Sequence, residues 1–117
     1  MADSVLRTKT KEFAKDIVFL CRKLKHSGIE SPLINQLLRC GTSVGANVHE
    51  AQYAQGTKDF ISKFEIALKE CSETEGWLKL LFTTNAIVEE PFKDYRNLCG
   101  RIRRMLIASC KTLKENI

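Results

Sequence analysis

The sequence predicts an all-α fold, an antiparallel up-down-up-down four-helix bundle. Three observations predict it. Apolar residues recur at three-and-four spacing through four long stretches, the period that gathers them on one side of a helix. Short turn signals separate the stretches, Ser27-Gly28, Gln55-Gly56 and Glu89-Glu90-Pro91, with no repeat or low-complexity segment between them. At 117 residues, the length fits one domain whose core needs neither metal nor disulfide. Helices joined by such short turns bury their stripes best as antiparallel neighbours. The expected helices cover about residues 5–27, 31–54, 57–86 and 91–115 of a single domain, 1–117.

In the first helix Leu6, Phe13, Ile17, Leu20 and Leu24 form the apolar stripe. At about 100° per residue, Arg7, Lys11, Lys15, Arg22 and Lys25 fall on the opposite side, with Val18 among them and Phe19 on a flank. Gly28 ends the helix, because glycine takes the left-handed conformation without steric cost. Ser31-Pro32 opens the second helix as N-cap and first-turn proline. Its stripe is Leu33, Leu37, Val44, Val48 and Ala51, with Cys40 and Gly41 alongside. Gly41 and Gly45 each cost roughly 1 kcal/mol against alanine in a helix. Either they let another backbone come close, or this helix is locally weak. Gln36, Arg39, Ser43, Asn47 and Glu50 make a separate polar stripe. Arg39 and Glu50 are too far apart along one helix to pair with each other.

Thr57 reads as N-cap of the third helix, with Asp59 in the first turn favouring the positive end of the dipole. Its core stripe is Phe60, Phe64, Ala67, Cys71, Leu78 and Phe82. A second, mixed face carries Ile66, Glu70, Glu73, Trp77, Leu80 and Leu81. Apolar residues on one side with a tryptophan anchor suit a subunit interface. The competing reading wraps them into the bundle at a wide seam. In the fourth helix Tyr95, Leu98, Ile102, Met105, Leu106, Ser109 and Leu113 give a heptad-like core. Lys93, Arg96, Arg103, Arg104, Lys111 and Lys114 lie on its far side.

Hydrophobic residues make up 44% and charged residues 28%, ordinary values for a globular chain. The net charge of +5 is unevenly spread. Residues 1–27 carry +4, residues 28–90 carry −4 and residues 91–117 carry +5. No apolar run approaches the roughly 20 residues that span a bilayer, and no membrane partner is expected. The charged start MADSVLRTKTKEF lacks the apolar region of a signal peptide, so a cytoplasmic location is expected. Five scattered cysteines without a CxxC pair read as small buried hydrophobes in a reducing compartment.

Catalytic and metal patterns are not found. His49-Glu50 starts an HExxH pattern, but position 53 is Tyr53, and zinc needs both histidines. Neither His26 nor His49 follows a glutamate by three, as a di-iron bundle requires. No glycine-rich phosphate loop occurs. The chain is expected not to be an enzyme and to hold no cofactor. What remains are the basic stripes: Arg7, Lys11, Lys15 and Arg22 on the first helix, and Lys93, Arg96, Arg103, Arg104 and Lys111 on the fourth. In an up-down bundle these helices are neighbours, and merged stripes would make one positive wall for a phosphate backbone, RNA or DNA. Ordinary solvated cations are the alternative. Aromatics are not interleaved with the charges, which argues against stacking on single strands.

The run RCGTSVGANVHEA, Arg39 to Ala51, resembles a signature of the small four helix bundle proteins encoded in intervening sequences of bacterial 23S ribosomal RNA genes. Arg39, Ser43, Asn47 and Glu50 match it, and Val44 and Val48 replace isoleucines. Ala51 stands where that family has glycine. The run KECSETEGWLKLL is similar to a second family pattern at Lys69, Glu70, Glu73, Thr74, Trp77 and Leu78, while Gly76 replaces a tyrosine or histidine. The resemblance implies a bundle that assembles into a ring, typically a homopentamer, with no known enzyme activity. A related branch, the accessory variability determinants of diversity-generating retroelements, contacts nucleic acid and works with a reverse transcriptase. A ring joins one surface to a different surface next door. The expected interface is therefore Ile66, Glu70, Glu73, Trp77 and Leu80 with Arg39, Ser43, Asn47 and Glu50. The rival is that the polar residues satisfy one another within one chain.

Overall fold

The computed structural model describes residues 2–116. They form four helices, α1 Ala2–His26, α2 Ser31–Ala51, α3 Thr57–Thr83 and α4 Glu89–Glu115, with no strand among the described residues. The fold is all-α. Cross-helix pairs give the directions. Ile17 lies against Gly41 and Thr10 against Gly45, so α1 and α2 run antiparallel. Arg39 reaches Glu70 while Glu50 reaches Lys63, which sets α2 against α3 in the same sense. Glu75 meets Arg103 and Glu65 meets Lys114, which does so for α3 and α4. The extents of 48 × 22 × 19 Å are those of a bundle two helices wide and about one 27-residue helix long.

Two helix ends share one device. Gly28 has φ +76°, and the N–H groups of Gly28 and Ile29 return to the carbonyls of Lys25 and Leu24. Asn85, at φ +67°, closes α3 in the same way, with Asn85 and Ala86 donating to Phe82 and Leu81. The left-handed residue turns the chain so that two orphan carbonyls are satisfied. Thus α3 stops at Thr83, ahead of the expected end near 86.

The helix starts differ from the expected caps. Ser31 lies inside α2, and the capping position is Glu30, whose side chain makes no cap hydrogen bond. Thr57 is likewise the first helical residue of α3, with Gly56 before it. Asp59 instead accepts from the Gln55 N–H at 3.1 Å, fixing the turn rather than the helix end. α4 begins at Glu89, two residues before Pro91, because the first-turn N–H groups have no intrahelical partner for a proline to remove.

The core runs the length of the bundle through Leu6, Phe13, Ile17, Leu37, Val44, Phe64, Leu78, Ile102 and Leu106, all fully buried. Ile34, not Leu33, takes the buried place in the first turn of α2. Leu81, expected on the mixed face of α3, is fully buried. Gly41 and Gly45 are the points where α1 and α2 approach: an ideal Cβ at Gly41 would stand 2.8 Å from Ile17 Cγ2, and one at Gly45 3.1 Å from the Thr10 carbonyl oxygen. All five cysteines are buried free thiols. Burial pushes Cys21 up to about 11, and Cys99 is raised first by its contact with Cys71 and then by burial. The seam between α1 and α4 is the loosest of the four. On its α4 side Tyr95, Leu98 and Met105, expected in the core, stay half-buried. Among the described residues no helix is long and apolar enough to cross a membrane.

Candidate assembly and nucleic-acid surfaces

Of the nine expected interface residues, Arg39, Glu70, Glu73 and Trp77 come together where α2 packs on α3, and Glu50 reaches α3 through Lys63. The period of α2 puts Arg39, Ser43, Asn47 and Glu50 on the flank turned to α3, and the antiparallel register sets Arg39 opposite Glu70 and Glu73. Arg39 bridges both carboxylates, at 2.9 Å to Glu70 and in a short contact to Glu73. Its Nε donates to the Gln36 side-chain oxygen at 3.2 Å. Trp77 Nε1 donates to Glu73 at 3.1 Å. Lys63 pairs with Glu50 at 3.5 Å, and Asn47 donates to the Ser43 carbonyl at 2.9 Å.

The electrostatics follow from these contacts. The hydrogen bonds to Glu73 and Glu70 raise the pKa of Arg39, and Arg39, then Trp77, holds Glu73 below its usual range. Arg39, Glu70, Glu73 and Glu50 thus find charged partners within one chain. Ile66 and Leu80 are 40% and 41% exposed. Trp77 lies half-buried against the core, beneath the Arg39 cluster.

The expected nucleic-acid residues divide into two groups. On α1, Lys11, Lys15 and Arg22 are exposed and make no ion pair among the described residues. Arg7 is half-buried; it donates to the Ser4 hydroxyl at 3.3 Å, and its Nε is buried without a partner. On α4, Lys93 pairs with Glu89 at 3.2 Å and Arg103 with Glu75 at 3.0 Å. The Arg96 guanidinium lies 5.4 Å from the centroid of the Phe92 ring. Arg104 and Lys111 are exposed.

The basic residues of the two helices differ in how far they are already paired. On α4, Arg103 and Lys114 reach across to α3, where they pair with Glu75 and Glu65. One aromatic does stand among the α1 charges. Phe19 is 53% exposed, and the Arg22 guanidinium lies 5.9 Å from its ring centroid.

A feature missed in the sequence is an apolar cleft of about 750 Å³ at the end of the bundle, lined by Ala51, Phe60, Met105, Ala108, Ser109 and Leu113 among others. Its residues come from three helices and the turn between α2 and α3, and no spacing within one helix announces it. Among the described residues no group of three or more His, Cys, Asp or Glu is placed to hold a metal ion. His49 sits on the surface beside Tyr53, with ring centroids 5.5 Å apart.

Comparison with known proteins matches most of the chain to a family. The family described as 23S rRNA-intervening sequence protein matches residues 3–108. The chain is also similar to a crystal structure of a protein of unknown function from the S23 ribosomal protein family of Bacteroides thetaiotaomicron VPI-5482. The two are 43% identical, with a TM-score of 0.92 over 95% of this chain and 99% of that one. No curated protein matches.

Proposed function

We propose, for a chain that belongs to the 23S rRNA-intervening sequence protein family, a non-enzymatic accessory or scaffold role in the cytoplasm as a homo-oligomer, by family resemblance a pentameric ring. The observation that carries this reading is the α2/α3 face. Ile66 and Leu80 stay exposed there beside Trp77, while the surrounding charges are already ordered by Arg39. An ordered polar rim around exposed apolar groups is the anatomy of a subunit contact. The ring gathers several copies of the basic helices α1 and α4, and that repetition suits nucleic acid or a ribonucleoprotein, including one built around a reverse transcriptase.

Light scattering tests the assembly. The wild type is expected to have a mass of several subunits, near five. Ile66→Asp with Leu80→Asp is expected to give the monomer with its helix content intact, since both side chains are exposed in the single chain. Trp77→Ala is expected to weaken the assembly as well. A monomeric wild type, or a double variant that assembles normally, would remove this face as the contact. A protein–protein adaptor without a nucleic-acid role is the second reading. It is favoured by the pairing of Lys93 and Arg103 with glutamates, which leaves less free positive charge on α4.

A further inference from the structure

Phe19 is the largest apolar side chain on the outside of α1, and burial in the core does not explain it. At 53% exposure its ring is open to solvent. On a helix the neighbours of a residue are those three and four positions away. For Phe19 these are Lys15, Asp16, Arg22 and Lys23, three cations and one carboxylate, all exposed. The Arg22 guanidinium stands over the ring, 5.9 Å from the centroid. None of the three cations is in an ion pair among the described residues, in contrast to Lys93 and Arg103 of α4. One turn further along, Lys11 and Lys25 extend the unpaired charge in both directions along α1.

We propose that Phe19, Lys15, Arg22 and Lys23 form a binding site for single-stranded nucleic acid, in which one unpaired base stacks on the ring and the flanking phosphates lie on the cations. The proposal rests on the nucleic-acid part of the function proposed above and gives it a location. Charge complementarity selects the occupant: a polyanion satisfies three unpaired cations at once, whereas an apolar protein surface would cover the ring and strand the charges. The ring selects single strands, because a base must leave its duplex stack to reach it. Arg22 stacks alongside the base as it stacks on Phe19, adding a cation–π contribution. The site needs no sequence readout, since every base offers a face.

Fluorescence anisotropy across a salt series tests it, with a short labelled oligoadenylate RNA, the same strand in duplex with oligouridylate, and inorganic polyphosphate as competitor. The wild type is expected to prefer the single strand, and polyphosphate to compete poorly at equal charge. Phe19→Ala is expected to weaken single-strand binding about 5- to 100-fold while leaving the slope of log affinity against log salt unchanged, because no phosphate contact is lost. Phe19→Trp is expected to restore binding. Lys15→Ala is expected to flatten the slope by about 0.7. The ring is exposed, so these variants keep the fold, which circular dichroism verifies.

Three outcomes overturn the proposal. If Phe19→Ala binds as the wild type while Lys15→Ala with Arg22→Ala binds less, the stacking site is wrong and the nucleic-acid reading stands. If the wild type binds no RNA even at low salt, both fall together. If Phe19→Ala changes the mass seen by light scattering, the ring is a contact between copies of the chain rather than a base platform.

Discussion

Arg39 joins two glutamates of α3 with one guanidinium, and Glu73 accepts in turn from Trp77. These contacts tie a charge cluster to the one tryptophan of the chain. Their pH dependence has a definite sign. Glu73 is held below its ordinary value of 4.5, first by Arg39 and then by Trp77. A carboxylate with a depressed folded-state pKa contributes stability that is present above its unfolded-state pKa and lost as pH falls through the folded-state value. The thermal midpoint of the wild type is therefore expected to exceed that of Glu73→Gln at neutral pH, and the gap to close as the solution is acidified below pH 4.5. A gap that stayed constant into acid would mean that shape rather than charge sets the cost of the substitution. Because the pair is partly open to solvent, added salt is expected to narrow the neutral-pH gap.

At the scale of the elements, α1 and α2 are held by close approach, and α1 and α4 are not. Gly41 and Gly76 separate these situations in one experiment. A Cβ at Gly41 would come within 2.8 Å of Ile17, a fully buried branched side chain that cannot swing aside. Overpacking of this kind costs about 1–3 kcal/mol, against about 1 kcal/mol gained when alanine replaces glycine in a helix. Gly76 is also helical, but a Cβ there meets nothing within 4 Å. Gly41→Ala is expected to lower the denaturation midpoint and Gly76→Ala to raise it, the latter by about 0.5–1 kcal/mol of stability. Equal effects at both sites would show that helix propensity, not helix approach, governs them. Gly76 is the position where the resemblance has a tyrosine or histidine. A ring at this point would stand on the surface, so its loss here leaves the core untouched.

Across the whole molecule, charge and apolar surface are segregated by helix pair. The α2/α3 side carries the ordered charges with Ile66, Trp77 and Leu80. On α4, Lys93, Arg103 and Lys114 pair with glutamates, whereas Lys11, Lys15 and Arg22 of α1 make no ion pair among the described residues. The unpaired cations of α1 are expected to contribute more to nucleic-acid affinity than those of α4. Replacing Lys11, Lys15 and Arg22 by alanine is expected to flatten the salt dependence of RNA binding by about 2 in slope. The same change at Lys93, Arg96 and Arg103 is expected to have a smaller effect, because two of these already pair with glutamates. A larger effect from α4 would place the nucleic acid on the other flank of the bundle.

The sequence by itself determined the helices, their order and most of the core, since each depends on periodicity within one stretch. Leu6, Phe13, Ile17, Val44, Phe64 and Leu106 were legible for that reason. It also singled out Arg39, Glu70, Glu73 and Trp77, because two short runs resembled a known pattern. Only the tertiary structure decided that these four touch, since the partner of Arg39 lies 31 residues away on another helix. The rotation of each helix was likewise settled by its neighbours. Leu81 turned inward and Leu33 half outward because small angular differences around a helix decide burial at the edge of a stripe. A periodic pattern fixes which residues share a side of one helix, but which way that side turns is decided by what packs against it.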